Sequence, residues 1–417
     1  MQRQLIIAAS VLGLFGTMTN ILFISPLPSL IAAFLFPFIL INRRYLPPTV
    51  FWLLLFFLFA GFSTLLYNPA SFLKFGFYRY DGNFFISYLP LLVLPFLSIK
   101  YDIDKLFRYF LYLSTVVNLV VYCFSTLQNQ PAFFGLFLST NGAGGFYSIV
   151  TSLAFIYFLE KKSYKNLIIL LLNAFFLYAT YSRGSILGLV IGLSCLYFLH
   201  IRKSYLITWI LVGLSAIQIY ILIDTYPEYK KYIMNSRHAD IYENYEAYVH
   251  KNYGNVSTKY NNVLIRMYET WPRAVDSFFH SPLLGTGFGS LNDVPYIFND
   301  AVPGFFSTNK QKNKVYNDSH AHHSFLHFLG EQGLLGLVLF IMFWRSVYKF
   351  LLQNGQEPTI RDFLLVSFFN LTVMSFTEHR ITTPSNALPF VLTLSLYYVY
   401  VNYQKKSGVN NIPETAS

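Results

Sequence analysis

Four histidines occupy a short stretch where a polar segment of the sequence meets an apolar one. They are His320, His322, His323 and His327, within NDSHAHHSFLHFLGEQGLLGLVLF at residues 317–340. Histidine is the side chain whose ordinary pKa lies closest to neutrality, so it can take or give a proton at physiological pH. Apolar surroundings exclude ionisable groups unless they serve a function. The cluster is therefore the first candidate site, as a base or as a set of metal ligands.

The metal interpretation of this cluster depends on spacing. His323 and His327 are one helical turn apart, but the glutamate of the HExxH zinc motif is missing between them. Asp318 and Glu331 could complete a metal site, yet the pattern is weak. We therefore expect no metal, and we interpret the cluster as the source of a general base or substrate-orienting histidine that Glu331 could orient.

Arginines in three further segments could bind an anion. Arg183 lies in ATYSRGSILGL, in a short loop between two apolar segments, and Arg266 and Arg273 lie in RMYETWPRAVDSFF. A guanidinium presents five N–H donors in a planar fork that matches phosphate. For Arg266, spacing alone favours a solvated loop charge over phosphate binding. His379 and Arg380, in SFTEHRITTPSN, form another charged turn, which we expect to support the site.

The composition is that of a polytopic membrane protein. Of 417 residues, 54% are hydrophobic and only 12% are charged, whereas globular domains carry roughly 25% charged residues. The net charge of +11 does not indicate a nucleic-acid partner, because most basic residues lie in short loops between apolar segments. Cys123 and Cys195 fall inside apolar segments and indicate neither a disulfide framework nor a zinc site. The N-terminal apolar run lacks a convincing cleavage site, so we expect it to form the first span.

Segments of about 20 apolar residues, the length of a membrane span, can be placed twelve times along the chain. The predicted spans are 4–24, 26–41, 49–67, 84–99, 107–127, 142–159, 166–181, 184–200, 205–224, 330–352, 362–377 and 386–403. The short loops and tails on one side hold sixteen Lys and Arg, and those on the other side hold four. Since positive loops stay in the cytoplasm, both termini are expected there.

This topology divides the chain into four parts. Residues 1–224 carry nine spans, 225–322 form a large outer loop, 323–403 carry three spans, and 404–417 form a cytoplasmic tail. The loop begins with tyrosines at helical spacing, which indicates an amphipathic helix at the membrane surface. We therefore expect an all-α polytopic membrane fold whose arginines and histidines meet at the outer face.

Arginines and a histidine cluster outside the cytoplasm would suit transfer from a lipid-diphosphate donor. Arginines would bind the diphosphate and stabilise it as the leaving group, while a histidine deprotonates or orients an acceptor hydroxyl. A transporter is the competing class, because twelve spans with cytoplasmic termini also suit a flippase. The long outer loop and the missing internal repeat argue against a transporter.

Four segments resemble the O-antigen ligase superfamily of bacteria, which also includes many Wzy-type polysaccharide polymerases. They are STNGAGGFYSIV (139–150), YSRGSILGLV (181–190), RMYETWPRAVDSFFHSPLLGTGFGS (266–290) and HAHHSFLHFLGEQGLLG (320–336). Together with the span layout and the single large outer loop, they cover most of the chain from about residue 130 onward. The resemblance implies a GT-C-like glycosyltransferase at the outer face of the inner membrane, with no nucleotide, metal or other cofactor.

The resemblance also implies roles for individual residues. Arg183 and Arg266 match the family arginines expected to bind the diphosphate of an undecaprenyl-diphosphate-linked glycan. His322 matches the histidine, usually followed by Asn, that acts on the acceptor hydroxyl. His323 replaces that Asn in this sequence, so His320 and His323 remain alternatives to His322.

Ligases and polymerases of this superfamily share their chemistry and differ in the acceptor. A ligase uses a sugar of lipid A–core, whereas a polymerase uses another lipid-linked glycan. The length, the topology and the His-x-His arrangement favour a ligase, and the polymerase stays the alternative because no residue specifies the acceptor. Both readings imply a lipid-linked donor and membrane lipids as partners, and no nucleic acid.

Overall fold

The computed structural model describes residues 2–18, 27–41, 45–67, 69–73, 77–78, 81–127, 133–137, 139–235, 266–291, 296–298, 306–308 and 321–408. Most of these residues are helical, which confirms the all-α class expected from the sequence. The described residues also include a small antiparallel pair of strands that the sequence patterns did not predict. Its strands are β1 (Tyr296–Phe298) and β2 (Phe306–Thr308), with Ile297 opposite Ser307.

The described residues form fourteen α-helices. In chain order they are α1 (Gln2–Gly16), α2 (Leu27–Ile41), α3 (Pro48–Tyr67), α4 (Asn83–Tyr88), α5 (Pro90–Val93), α6 (Ile103–Leu127), α7 (Thr140–Glu160), α8 (Tyr164–Ala179), α9 (Arg183–His200), α10 (Tyr205–Asn235), α11 (Trp271–His280), α12 (Ser324–Gln353), α13 (Pro358–Met374) and α14 (Pro384–Lys406). Short 3₁₀ segments lie at Pro69–Leu73 and Leu94–Phe96, and a π-helical turn at Arg266–Thr270 precedes α11.

Six of the described helices are long and apolar enough to cross a membrane. They are α3, α6, α7, α9, α10 and α12. The apolar helices α1, α2 and α8 are shorter, as is the segment Asn83–Phe96. The six long helices indicate an integral membrane protein, and the count of twelve spans stays a prediction.

The fourth predicted span, 84–99, is not one continuous helix. It consists of α4, the four-residue α5 and the 3₁₀ turn at Leu94–Phe96. Pro90 and Pro95 lack the backbone N–H that would continue the helical hydrogen bonds, so the helix breaks near each of them. The segment is an irregular packed element, and hydropathy alone did not reveal this.

The helix α10 continues past residue 224, where the ninth predicted span ended. It runs without interruption to Asn235, with Pro227 inside it. Its last turns pack on α11, because the hydroxyl of Tyr226 donates to Oδ1 of Asp276 at 3.1 Å and Nζ of Lys230 lies 3.0 Å from the same oxygen. The beginning of the predicted outer loop is therefore an extension of a long helix.

Two glycines allow α9 to pack closely on α13. A Cβ at Gly188 would lie 2.4 Å from the side-chain oxygen of Asn370, and a Cβ at Gly192 would lie 2.8 Å from the backbone oxygen of Val366. Small residues at a helix interface let two backbones approach in this way. The contact fixes the N-terminus of α9 beside the turn that follows α13.

An aromatic core joins α3, α4 and α12. The ring of Phe56 makes edge-to-face contacts with Phe84, Phe328 and Phe340, with ring centroids 5.1 to 5.7 Å apart. Edge-to-face pairs add to the free energy gained by burying apolar area, each by roughly 0.5–1.5 kcal/mol. This core holds the first turns of α12, which carry the histidines, against the first third of the chain.

Candidate functional site

The turn between α13 and α14 brings one carboxylate into contact with three other parts of the chain. Glu378 is buried, and its Oε1 accepts hydrogen bonds from Nη2 of Arg266 and, at 3.2 Å, from Nδ2 of Asn141. Its Oε2 accepts a hydrogen bond from Nδ1 of His322 at 3.2 Å. We call these four residues the Glu378 cluster.

The carboxyl group of Glu378 is ionised. Burial acts to raise the pKa of this group, but the hydrogen bond from His322 and the charges of Arg266 and Arg380 outweigh burial and lower the pKa to about 2. The neighbouring groups stabilise the charged form of this carboxyl group. The surroundings of Glu378 therefore favour negative charge.

Arg266 has a fixed orientation at this turn. Its Nη1 donates to the backbone oxygen of Thr377 at 2.9 Å, and its Nη2 donates to Glu378. The side chain is half-buried. Because the bond from Nη1 to Thr377 fixes the guanidinium, an anion that took the place of the carboxylate would meet an oriented Nη2 donor.

Arg183 reaches the same turn from another helix. It is the first residue of α9 and is exposed. A Cβ at the next residue, Gly184, would lie 3.0 Å from Oγ1 of Thr377, so the N-terminus of α9 lies directly against the turn. The fold therefore brings the helix end that carries Arg183 to the residues that Arg266 contacts. The positive end of the helix dipole adds to the attraction for an anion there.

His322 and His323 differ in what their rings can do. His322 is half-buried and has a left-handed backbone, with φ of 48°, and its Nδ1–H donates to Glu378. In the neutral ring this bond makes Nε2 the basic nitrogen. Backbone strain of this kind is often found at functional positions. The geometry fits the role of a base for His322.

His323 has a structural role. Its Nδ1 accepts the backbone N–H of Leu326 at 3.1 Å and so caps the N-terminus of α12, while Nε2 donates to the side-chain oxygen of Gln218. Burial, together with the charge of His379, lowers the pKa of this histidine to about 3. Both ring nitrogens are engaged, which disfavours His323 as the base. The third alternative, His320, lies outside the described residues.

A second group of ionisable residues lies deeper in the bundle. Nε2 of His327 lies 2.7 Å from Oδ1 of Asp81 and 3.0 Å from Oε2 of Glu331, and Nε2 of His379 lies 3.1 Å from Oδ1 of Asp81. All four are buried. We call them the Asp81 cluster. Burial acts to raise the pKa of Asp81, but the charge of His327 and hydrogen bonds from the two histidines lower it below its usual range.

The residue types of the Asp81 cluster could hold a metal ion, since Asp81, His327 and His379 each offer a ligand atom within 4.8 Å of the others. However, Nε2 of His327 lies between two carboxylate oxygens, 2.7 Å from Oδ1 of Asp81 and 3.0 Å from Oε2 of Glu331, which is the arrangement of an N–H donor. A protonated Nε2 donates to a carboxylate and does not coordinate a metal. The described geometry is that of a hydrogen-bonded cluster.

The comparison with known proteins gives a match to a family model. Residues 167–341 match the O-antigen ligase family model. No curated protein matches the chain. Three of the four segments that carry the resemblance lie inside this match, which confirms the resemblance for this part of the chain and supports an O-antigen ligase- or polymerase-type function in general.

The O-antigen ligase match covers the residues that the sequence placed in the main roles. It begins in α8 and ends in α12, so it contains Arg183, Arg266 and His322. It does not reach Asn141 or Glu378, which complete the Glu378 cluster. The site is therefore assembled from the matched segment together with α7 and the turn after α13.

The supporting residues expected from the sequence lie in different places. Arg273 is buried and donates from Nη2 to the backbone oxygen of Leu291 at 3.2 Å. Glu331, expected to orient the base, instead accepts the backbone N–H of Gly289 and of Leu291 and pairs with His327 in the Asp81 cluster.

Arg380 is buried beside Glu378 and donates from Nη1 to the backbone oxygen of Asn141 at 2.5 Å. Its neighbour His379 belongs to the Asp81 cluster, where burial, together with the charge of His327, lowers its pKa to about 4.

Glu378, Asn141 and Asp81 were not singled out from the sequence. Asn141 and Glu378 lie inside the motifs STNGAGGFYSIV and SFTEHRITTPSN, and neither residue type stands out there. Asp81 stands close to an apolar segment, and an ionisable residue in such a place is a signal of function or of a buried partner. That signal could have identified Asp81, although not the histidines that it contacts.

Proposed function

We propose that this chain is a glycosyltransferase of the O-antigen ligase type. It moves a glycan from undecaprenyl diphosphate to a sugar hydroxyl of lipid A–core at the outer face of the bacterial inner membrane. The single observation that carries the proposal is the Glu378 cluster, in which one carboxylate joins an oriented arginine to a half-exposed histidine. The O-antigen ligase match over residues 167–341 supports it.

The arginines bind the donor in this proposal. Arg266 and Arg183 lie at the same turn, one oriented by the backbone of Thr377 and the other at a helix N-terminus. Negative charge on the diphosphate grows as the bond to the sugar breaks, and fixed cations stabilise that charge where water is excluded. The proposal therefore assigns stabilisation of the leaving group to guanidinium groups, with no metal or organic cofactor.

His322 activates the acceptor in this proposal. The acceptor hydroxyl oxygen attacks the anomeric carbon of the donor glycan, a new C–O bond forms, and the bond from that carbon to the diphosphate oxygen breaks. The electron pair of the broken bond leaves with undecaprenyl diphosphate, and the hydroxyl proton moves to Nε2 of His322. Glu378 keeps Nδ1–H hydrogen-bonded and stabilises the imidazolium that forms.

The membrane placement is part of the proposal. Six described helices are long enough to span, and the bias of Lys and Arg among the short loops favours cytoplasmic termini. The Glu378 cluster would then lie at the outer face, with the domain division given above.

A reconstituted assay tests the proposal. The full chain in proteoliposomes is given a labelled undecaprenyl-diphosphate-linked glycan with either lipid A–core or a second lipid-linked glycan as acceptor. We expect transfer to lipid A–core, and we expect Arg266→Gln and Arg183→Gln each to lower the rate by roughly 10²–10³-fold. Arg345→Gln, an exposed arginine near the other end of α12, is the matched control.

Two outcomes of this assay would count against the proposal. Transfer only to the second lipid-linked glycan would make the chain a polymerase and not a ligase. Normal transfer in both arginine variants, with intact folding, would show that neither arginine binds the donor.

A further inference from the structure

We propose that the carboxylate of Glu378 binds Arg266 when no donor is present, and that the donor diphosphate displaces it from Arg266. The negative charge of Glu378 then acts on His322. This inference rests on the proposed function, because it assumes a diphosphate-bearing donor at Arg266. It adds an order of events to that function, in which the donor binds first and thereby favours proton abstraction by His322.

The two oxygens of Glu378 have separate partners. Oε1 receives hydrogen bonds from Arg266 and Asn141, while Oε2 receives the hydrogen bond from His322. A phosphate oxygen that replaces Oε1 at Arg266 therefore does not compete for the contact with His322. The carboxylate can lose one partner and keep the other.

The local charge favours an exchange of anions. Arg266 and Arg380 both act electrostatically on Glu378, so two guanidinium groups share one carboxylate. Arg380 is 3% exposed, and its Nε and Nη2 have no hydrogen-bond partner among the described residues. Buried N–H groups without an acceptor are costly. A diphosphate brings the oxygens and the negative charge that one carboxylate cannot supply.

The exchange changes the state of His322. While Arg266 holds Glu378, a cation next to the carboxylate offsets its charge. Once the donor takes Arg266, less of the carboxylate charge is offset, and the carboxylate stabilises the protonated form of the imidazole more strongly. Proton abstraction from the acceptor is then favoured only when a donor is bound. In this scheme Glu378 is a positioning residue, because it acts through His322.

A purely structural role for Glu378 predicts the opposite effect on donor affinity. If the carboxylate only held Arg266 in place, then removing its charge would loosen the arginine and weaken donor binding. If the carboxylate competes with the donor, then removing its charge frees the arginine and tightens binding. The sign of the change in Kd separates the two roles.

The experiment measures binding of undecaprenyl diphosphate to the full chain in lipid nanodiscs, alongside the transfer rate. We expect Glu378→Gln to bind this probe roughly threefold to tenfold more tightly than the wild type. Its turnover should fall at least roughly 10²-fold, because the base loses its carboxylate partner. Glu160→Gln, which removes an exposed carboxylate near the other end of α7, is the matched control and should change neither.

Weaker binding of the probe by folded Glu378→Gln would overturn the inference. Should that variant fail to fold, Glu378→Asp keeps the charge but shortens the side chain, so it withdraws the competing carboxylate from Arg266 and should also tighten binding; weaker or unchanged binding would overturn the inference in the same way. Arg266→Gln separates the two proposals. Unchanged binding in that variant would contradict the proposed donor site itself, whatever Glu378→Gln does.

Discussion

The Glu378 cluster and the Asp81 cluster contain similar residue types and differ in exposure and in charge. Glu378 and His379 are adjacent in the chain, and each belongs to a different cluster. His322 in the first is half-buried, whereas every member of the second is buried. The first includes an arginine in contact with its carboxylate, and the second pairs carboxylates with histidines only.

The difference shows what separates a reactive histidine from a structural one in this protein. A base must reach a substrate hydroxyl, which requires exposure, and an anionic substrate needs positive charge beside it. The Glu378 cluster has both. The Asp81 cluster is fully buried and contains no arginine, and its hydrogen bonds join the segment before α4, the first turns of α12 and the turn after α13 into one unit.

The largest expected effect is on the base. Asn can donate a hydrogen bond to Glu378 but cannot accept the proton of an acceptor hydroxyl at neutral pH. His322→Asn should therefore lower the transfer rate by roughly 10²–10⁴-fold without changing thermal unfolding. His200→Gln, an exposed histidine at the other end of α9, is the control. A normal rate in His322→Asn together with an inactive His323→Asn would show that the base is His323 and not His322.

The next effect is on stability and comes from the Asp81 cluster. Asp81→Asn removes a buried negative charge that both His327 and His379 contact. Breaking one partner of such a network should lower the free energy of unfolding by about 3–5 kcal/mol. Unfolding in mixed detergent micelles measures this change. If Asp81→Asn unfolded like the wild type and yet transferred no glycan, then the Asp81 cluster would be part of the chemistry.

A smaller effect concerns pH. The pKa of His323 falls from 6.5 in the unfolded chain to about 3 in the folded protein. As pH falls below 6.5, the unfolded state binds the proton first, so stability is lost by up to about 1.4 kcal/mol per pH unit. His323→Asn keeps a capping acceptor for α12 and removes this titration. Its free energy of unfolding should therefore decrease less between pH 7 and pH 5 than that of the wild type. Parallel profiles would show that folding does not lower the pKa of His323.

Metal removal is expected to have the smallest effect. Since the Asp81 cluster is hydrogen-bonded, dialysis against EDTA should leave both the transfer rate and the unfolding temperature unchanged. A loss that zinc restores, and that Asp81→Asn abolishes, would make the cluster a metal site.

Local motifs in the sequence singled out His322, Arg183 and Arg266 as candidates, and their roles stay predictions. All three stand in the part of the chain that matches the O-antigen ligase family model, and the all-α class follows from composition. The sequence could not pair Glu378 with Arg266 or Asp81 with His327, because these contacts join segments more than a hundred residues apart.

The limits on the fold prediction have similar causes. Hydropathy averages over a window, so it did not reveal that prolines break the segment at 84–99. For the same reason, the ninth predicted span ends at residue 224. The helix α10 continues to Asn235, and Tyr226 in this polar continuation contacts Asp276. The choice between His322 and His323 also depended on the structure, because only the fold shows that the ring of His323 is already engaged.

The most direct test of the central claim is a double-mutant cycle between Arg266 and His322, measured as the initial rate of glycan transfer. If the two act in one site joined by Glu378, then Arg266→Gln combined with His322→Asn should be about as slow as the slower single variant. Fully multiplicative losses, with all variants folded, would show instead that the arginine and the histidine act independently.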